Sequence, residues 1–209
     1  MVDRIPYITR EASSARINEI FDKHPHDIAL WRIIAHAQAT FEPWMQLNGS
    51  IMNNGSPRES DIQPTSLREL AVIQTCLLCD SPYEWVAHAR NAMHLFKLPL
   101  EQIDAVVIER NIESDVLDKD QKLVLRFATE IVEKVRASEA TMTAMQERFT
   151  QRQIVELTFA IGAYMMNCRL AELGRLDVMA DADFNELFKR NPYLEHMRRL
   201  GHEPERRLP

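Results

Sequence analysis

Glu84 and His88 stand four residues apart in PYEWVAHARNAMHLF (82–96), and Glu69 lies nineteen residues before His88 in SLRELAVIQTCLLC (66–79). On a helix, side chains at i and i+4 share a face and can meet. A carboxylate beside an imidazole orients the ring, favours the imidazolium, and readies it for proton transfer near neutral pH. A carboxylate in low-dielectric surroundings holds its proton to higher pH and can relay it. General acid–base chemistry is therefore the work these three residues could do together. The same spacings also allow a structural role. Ser66-x-x-Glu69 and Ser81-Pro82-x-Glu84 both fit a capping box, in which serine and glutamate satisfy the first free N–H groups of a helix. Spacing alone leaves both readings open.

The elements that must position these residues are helical. Alternating β-branched runs are absent, and helix-period patterns fill most of the chain. They predict helices near 11–23, 27–38, 40–53, 66–79, 82–96, 100–110, 119–136, 139–149 and 151–174, with shorter ones near 182–190 and 193–200. Asp118-x-x-Gln121 and Thr150-x-x-Gln153 mark two further starts. The helix from Ser66 is apolar on every side, which predicts burial, and Glu69 shares a stripe with Ile73 and Cys76. In the next helix Trp85, Ala89, Ala92 and Phe96 form the apolar stripe, with Glu84, His88, Asn91 and Leu95 on its margin. Residues 53–64, rich in Asn, Gly, Ser and Pro, read as an internal connection.

Cys76-Leu77-Leu78-Cys79 is formally a C-x-x-C, but it falls at the C-terminal end of its helix. There the dipole disfavours a thiolate, so both cysteines read as core, as does Cys168. The Met165–Met166 pair reads as core filler. Three cysteines make no disulfide framework and suggest a reducing cytoplasm; the opening MVDRIPYITR has no apolar signal core. A net charge of -6 argues against a nucleic-acid partner. The basic cluster Arg198, Arg199, Arg206 and Arg207 reads as a solvated tail. No stretch is long and apolar enough to suggest a membrane span. The chain has five glycines, none in G-x-G-x-x-G or G-x-x-x-x-G-K, and it lacks H-E-x-x-H and paired C-x-x-C zinc patterns. His24 and His26 flank a proline in a turn and are weak candidates for a metal. Neither cofactor nor metal is expected.

The run from LRELAVIQ through YEWVAHARNA resembles the core of the carboxymuconolactone decarboxylase superfamily, which includes the alkylhydroperoxidase D-like proteins. RIPYIT, VLRFATEIVEKV and RQIVELTFAIGAYMMNCRLAELG extend the resemblance to its longer members, roughly from Arg4 to Leu173. The resemblance implies an all-α fold, an alkylhydroperoxidase D-like helical bundle. It implies one domain over 1–209, with an N-terminal helical extension over 1–64, a core over 65–176 and a C-terminal extension over 177–209. The peroxidase branch uses a glutamate followed by C-x-x-C-x-x-x-H. In that register the glutamate falls on Glu69 and the histidine on His88, while the two cysteines fall on Ser81 and Glu84. The decarboxylase branch lacks the cysteine pair and carries E-x-x-x-H, as Glu84 and His88 do here.

The resemblance thus implies cofactor-free chemistry on a small organic acid or lactone in a homo-oligomer, often a trimer or hexamer. The leading expectation is a lyase that removes CO₂, stabilises the enolate-like anion and protonates carbon. His88 would donate the proton or stabilise charge, Glu84 would orient it, and Glu69 would be a second relay. Tyr83, Trp85 and Ser81 would shape the pocket. The alternatives are a thiol peroxidase with rewired cysteines, and a non-catalytic helical oligomer that binds a small ligand.

Overall fold

A computed structural model describes residues 5–24, 28–52 and 65–178. The connection at 53–64, the helices expected at 182–190 and 193–200, His26 and the basic tail lie outside the described residues. Among those residues there are nine helices and no strand: α1 (Ala15–Lys23), α2 (Ala29–Ile34), α3 (Gln38–Met52), α4 (Ser66–Leu78), α5 (Pro82–His94), α6 (Leu100–Val107), α7 (Lys119–Lys134), α8 (Glu139–Arg148) and α9 (Gln151–Gly174). The all-helical expectation holds. No helix among them is long and apolar enough to cross a membrane.

Several starts follow from local chemistry. Asp118 and Gln121 form a reciprocal capping box on α7, and Thr150 and Gln153 do the same on α9. Ser14 caps α1, so that helix begins at Ala15, four residues later than the periodicity suggests. The two capping boxes that would have explained Glu69 and Glu84 do not form. Thr65, not Ser66, is the N-cap of α4, and neither it nor Ser81 at the N-cap of α5 makes a side-chain cap bond.

The apolar-all-round pattern of α4 is met by burial on all sides: every residue from Ser66 to Leu77 is buried. It packs against α5, α7 and α9, which makes it the axis of the bundle. One cluster of the core joins Leu70, Ile73 and Cys76 of α4 to Trp85 and Ala89 of α5 and Tyr164 and Cys168 of α9. A second joins Leu67 and Ala71 to Phe127 of α7 and Leu157 and Ile161 of α9. Helices α1–α3 build a third cluster around Phe21, Ile33 and Phe41, which closes on Ala171 and Leu176 and receives Tyr83 at its edge. Trp44 Nε1 donates to Asn167 Oδ1 at 3.1 Å, tying α3 to α9 inside the protein. His24 meets Trp31 edge-on at 4.9 Å.

The contact between α2 and α9 is close enough to require a glycine. A Cβ on Gly174 would lie 2.8 Å from Ile33 Cγ1, near the root of a β-branched side chain that cannot swing aside. Gly174→Ala is expected to cost about 1–3 kcal/mol. Urea unfolding should show the midpoint falling while the slope stays unchanged.

Candidate active site

Glu69 sits one turn into α4, on its inward stripe, and His88 sits two turns into α5. The helices pack so that His88 Nδ1 and Glu69 Oε1 lie 2.7 Å apart. The bond is charge-assisted and almost wholly dry: Glu69 is 1% exposed and His88 6%. Burial opposes a charge on His88, but the charge and hydrogen bond of Glu69, helped by the charge of Glu84, outweigh it and raise the imidazole above its ordinary range. Tyr164 of α9 closes the third side, its ring meeting the imidazole edge-on at 4.5 Å. Burial, and then the charges of Glu84 and Glu69, hold the Tyr164 phenol protonated well beyond the usual range.

Glu84 is 4% exposed and faces the same cluster. It makes no hydrogen bond to His88. Their coupling is through charge, and the hydrogen bond that orients the ring belongs to Glu69. Burial drives the Glu84 carboxyl up to about 7; His88 opposes this and the charge of Glu172 adds to it. Two carboxylates near one imidazole therefore take different states. Glu69 shares a hydrogen bond with a cationic ring, and Glu84 keeps a proton available near neutrality.

Three oxygens in this region are buried without a hydrogen-bond partner: Glu69 Oε2, Glu84 Oε1 and Ser81 Oγ. Orphaned polar atoms are uncommon in folded interiors, and each needs a cause. Arg68, buried beside Glu69, adds positive charge that acts on both His88 and Tyr164. Neither Arg68 nor Tyr164 stood out in the sequence. Both sit within runs that read as buried helix, and only packing turns them toward the imidazole.

The residues expected to shape a pocket are placed differently from one another. Ser81 is fully buried at the start of α5, Trp85 is fully buried in the core, and Tyr83 is half-buried against the cluster of α1–α3. Burial pushes the Tyr83 phenol up. Two clefts open elsewhere. One, about 460 Å³, is lined by Cys79, Val132, Met165, Cys168, Arg169 and Glu172 among others, and meets the site only through the charge of Glu172 on Glu84. The other, about 430 Å³, lies between α3 and α9 and is lined by Leu47, Ile51, Val155, Phe159 and Met166. Met166 is thus a surface residue of this cleft and not core filler. Cys79 likewise is only half-buried. Among the described residues no group of three or more His, Cys, Asp or Glu is arranged to hold a metal ion.

The fold defined by these helices is alkylhydroperoxidase D-like. It is shared with the crystal structure of an Agrobacterium tumefaciens protein of unknown function, proposed to be the antioxidant defence protein AhpD. The two superpose with a TM-score of 0.59 at 18% sequence identity, over 70% of this chain and 97% of that one. No family profile and no curated protein matches the sequence.

Glu84 titrates near 4.5 when unfolded and near 7 when folded, so the folded state binds the extra proton between those values. Stability from this group is present at low pH and is lost as pH rises through that window. Replacing it with a neutral isostere removes the loss. Glu84→Gln is expected to stabilise the protein by up to roughly 3 kcal/mol above pH 7, with the gain vanishing at acid pH. Paired denaturation curves at pH 4 and pH 8 check this; a variant less stable than wild type at both would show that Glu84 is a structural strut.

Proposed function

We propose that this protein is a cofactor-independent lyase that removes CO₂ from a small carboxylated lactone or β-keto-like acid. The observation that carries the reading is the buried Glu84 carboxyl, which titrates near neutrality with an unpartnered oxygen beside a histidine already held cationic by Glu69. A purely structural ion pair has no use for a third ionisable group in the same dry volume, because each added charge there costs more than it returns. Poised proton donors are kept for chemistry.

In this mechanism the scissile carboxylate leaves as CO₂ and its electrons pass to the adjacent carbon as an enolate. Glu69 fixes the His88 ring through Nδ1, leaving the other ring nitrogen to stabilise the enolate oxygen. Glu84 delivers the proton to carbon and recovers one from water. Arg68 supplies further positive charge for an anionic substrate. These assignments exchange the roles expected from spacing: Glu69 orients and Glu84 carries the proton. All three side chains are buried, so substrate reaches them only when the packing around α5 opens.

The antioxidant role proposed for the Agrobacterium protein suggests thiol peroxidase chemistry as a second reading of the same fold. In this chain Ser81 and Glu84 stand where the resemblance places that mechanism's cysteines, and neither can form a disulfide.

The test is CO₂ release, or loss of the parent acid, across a panel of carboxylated γ-lactones and β-keto acids. Turnover is expected in wild type. His88→Ala and Glu84→Gln are expected to lower it by about 10²–10⁴-fold, the range typical of a positioned acid or base. Circular dichroism should show both variants folded. Turnover that survives in both removes the assignment, and so does peroxide consumption without decarboxylation.

A further inference from the structure

Three thiols meet where the C-terminal end of α4 lies against α9. The Cys168 thiol is hydrogen-bonded to both Cys76 and Cys79, so it is the centre of the trio. Cys76 is buried behind it, whereas Cys79 and Cys168 both line the cleft of about 460 Å³. Arg169, the next residue on α9, brings Nη1 within 4.0 Å of Cys79 Sγ while the same nitrogen donates to the Met165 carbonyl. One sulfur pair thus faces a solvent-connected cleft with a cation over its more exposed member. That arrangement differs from three cysteines filling a core, and the three sulfurs do not converge as a metal site would require.

We propose that Cys79 and Cys168 are a cleft-facing dithiol that exchanges with low-molecular-weight disulfides and closes a reversible disulfide between α4 and α9. Cys79 gives up its proton and attacks one sulfur of the small disulfide RSSR. A Cys79–S–S–R bond forms, and RS⁻ leaves and takes up that proton. Cys168 then gives up its proton and attacks the Cys79 sulfur, releasing the second RSH. The two protein sulfurs lose two electrons, RSSR gains them to become two thiols, and no other reactant is needed. Arg169 favours the Cys79 thiolate against the hydrogen bond from Cys168 and the burial that keep it protonated. Burial pushes Cys76 up to about 11, leaving it a support for Cys168 and not an attacking group.

The position gives the bond a consequence. Tyr164, Cys168 and Glu172 are successive i, i+4 residues of α9, so the dithiol lies one turn from the ring that packs on His88 and one turn from the carboxylate that acts on Glu84. A disulfide here ties the helix bearing Tyr164 to the helix bearing Glu69.

The experiment equilibrates the full chain in buffers of stepped reduced-to-oxidised glutathione ratio, quenches with N-ethylmaleimide, and reads intact mass and peptide maps. The expected result is loss of two hydrogens at oxidising ratios, with the Cys79 and Cys168 peptides joined, and full reversal at reducing ratios. Cys76→Ser should keep the crosslink. Cys168→Ala should instead accumulate a glutathione adduct on Cys79. Should that core variant not fold, Cys79→Ser decides, since it is expected to show no crosslink. The proposal is overturned if wild type stays unmodified at the most oxidising ratio. It is equally overturned by only adducts or intermolecular disulfides in wild type, or by a Cys76–Cys168 bond in Cys79→Ser at the wild-type midpoint.

Discussion

A carboxylate on the most buried helix of a bundle cannot reach water, and it must be answered from a neighbouring element. Glu69 is that carboxylate, because α4 is packed on all sides and its inward stripe includes position 69. The answer comes from α5 through His88 Nδ1 at 2.7 Å. This one contact fixes how far α5 slides along α4, since a shift of one turn would move the imidazole by ~5 Å. Removing either partner leaves an uncompensated buried charge, an error that costs about 3–5 kcal/mol in proteins of ordinary stability. The rest of the site is arranged around that ion pair. Tyr164 packs on the ring, Arg68 adds positive charge beside it, and Glu84 is pressed into the same dry volume.

Stability alone does not explain the third member. A buried glutamine in place of Glu84 would fill the same space without a proton to lose. Ser81 adds a fully buried hydroxyl without a partner a few residues earlier. Unsatisfied polar atoms that gather at one place in an otherwise well-paired structure mark the kind of local cost that folds accept where chemistry is done. The two remaining thiol-bearing turns of α4 and α9 continue from this cluster toward the cleft without belonging to it.

Much of the fold was legible in the sequence because helix starts carry side-chain signals. Asp118 with Gln121 and Thr150 with Gln153 announce α7 and α9 and do so in the structure. Helix ends carry no such signal here. Asp80, Lys97, Arg110, Val135 and Arg175 all take the left-handed conformation just past the ends of α4, α5, α6, α7 and α9. Glycine usually marks that position. With none there, periodicity ran on by one to three residues at the ends of α4 to α7. The membership of the site was partly legible for a related reason. Residues four apart on one helix can be paired from spacing, but Glu69 and His88 are joined across two helices, and no local pattern encodes that. Capping-box spacing at Ser66 and Ser81 misled for the same cause. The tertiary burial of both glutamates withdraws them from the backbone they could have capped. Tyr164 and the Cys76–Cys79–Cys168 trio were hidden because α4 and α9 are apolar all round, so a functional side chain on either helix looks like core.

The Agrobacterium fold neighbour is matched over nearly its whole length, whereas about three tenths of this chain has no counterpart in the superposition. The cluster built by α1–α3 shows what added chain can do. It closes on Ala171 and Leu176 at the end of α9 and takes in Tyr83, the residue immediately before Glu84. Trp44 and Asn167 join this cluster to α9 one turn from Tyr164, and Ile33 presses on Gly174 near Glu172. Packing at that density does not deform gradually. The α1–α3 cluster therefore holds the start of α5 and the end of α9 against each other, and these two segments set the distance between Glu84 and Glu172. Since that distance helps decide how firmly Glu84 keeps its proton, the packing of α1–α3 reaches the chemistry of the site through geometry, without placing a single polar atom in it.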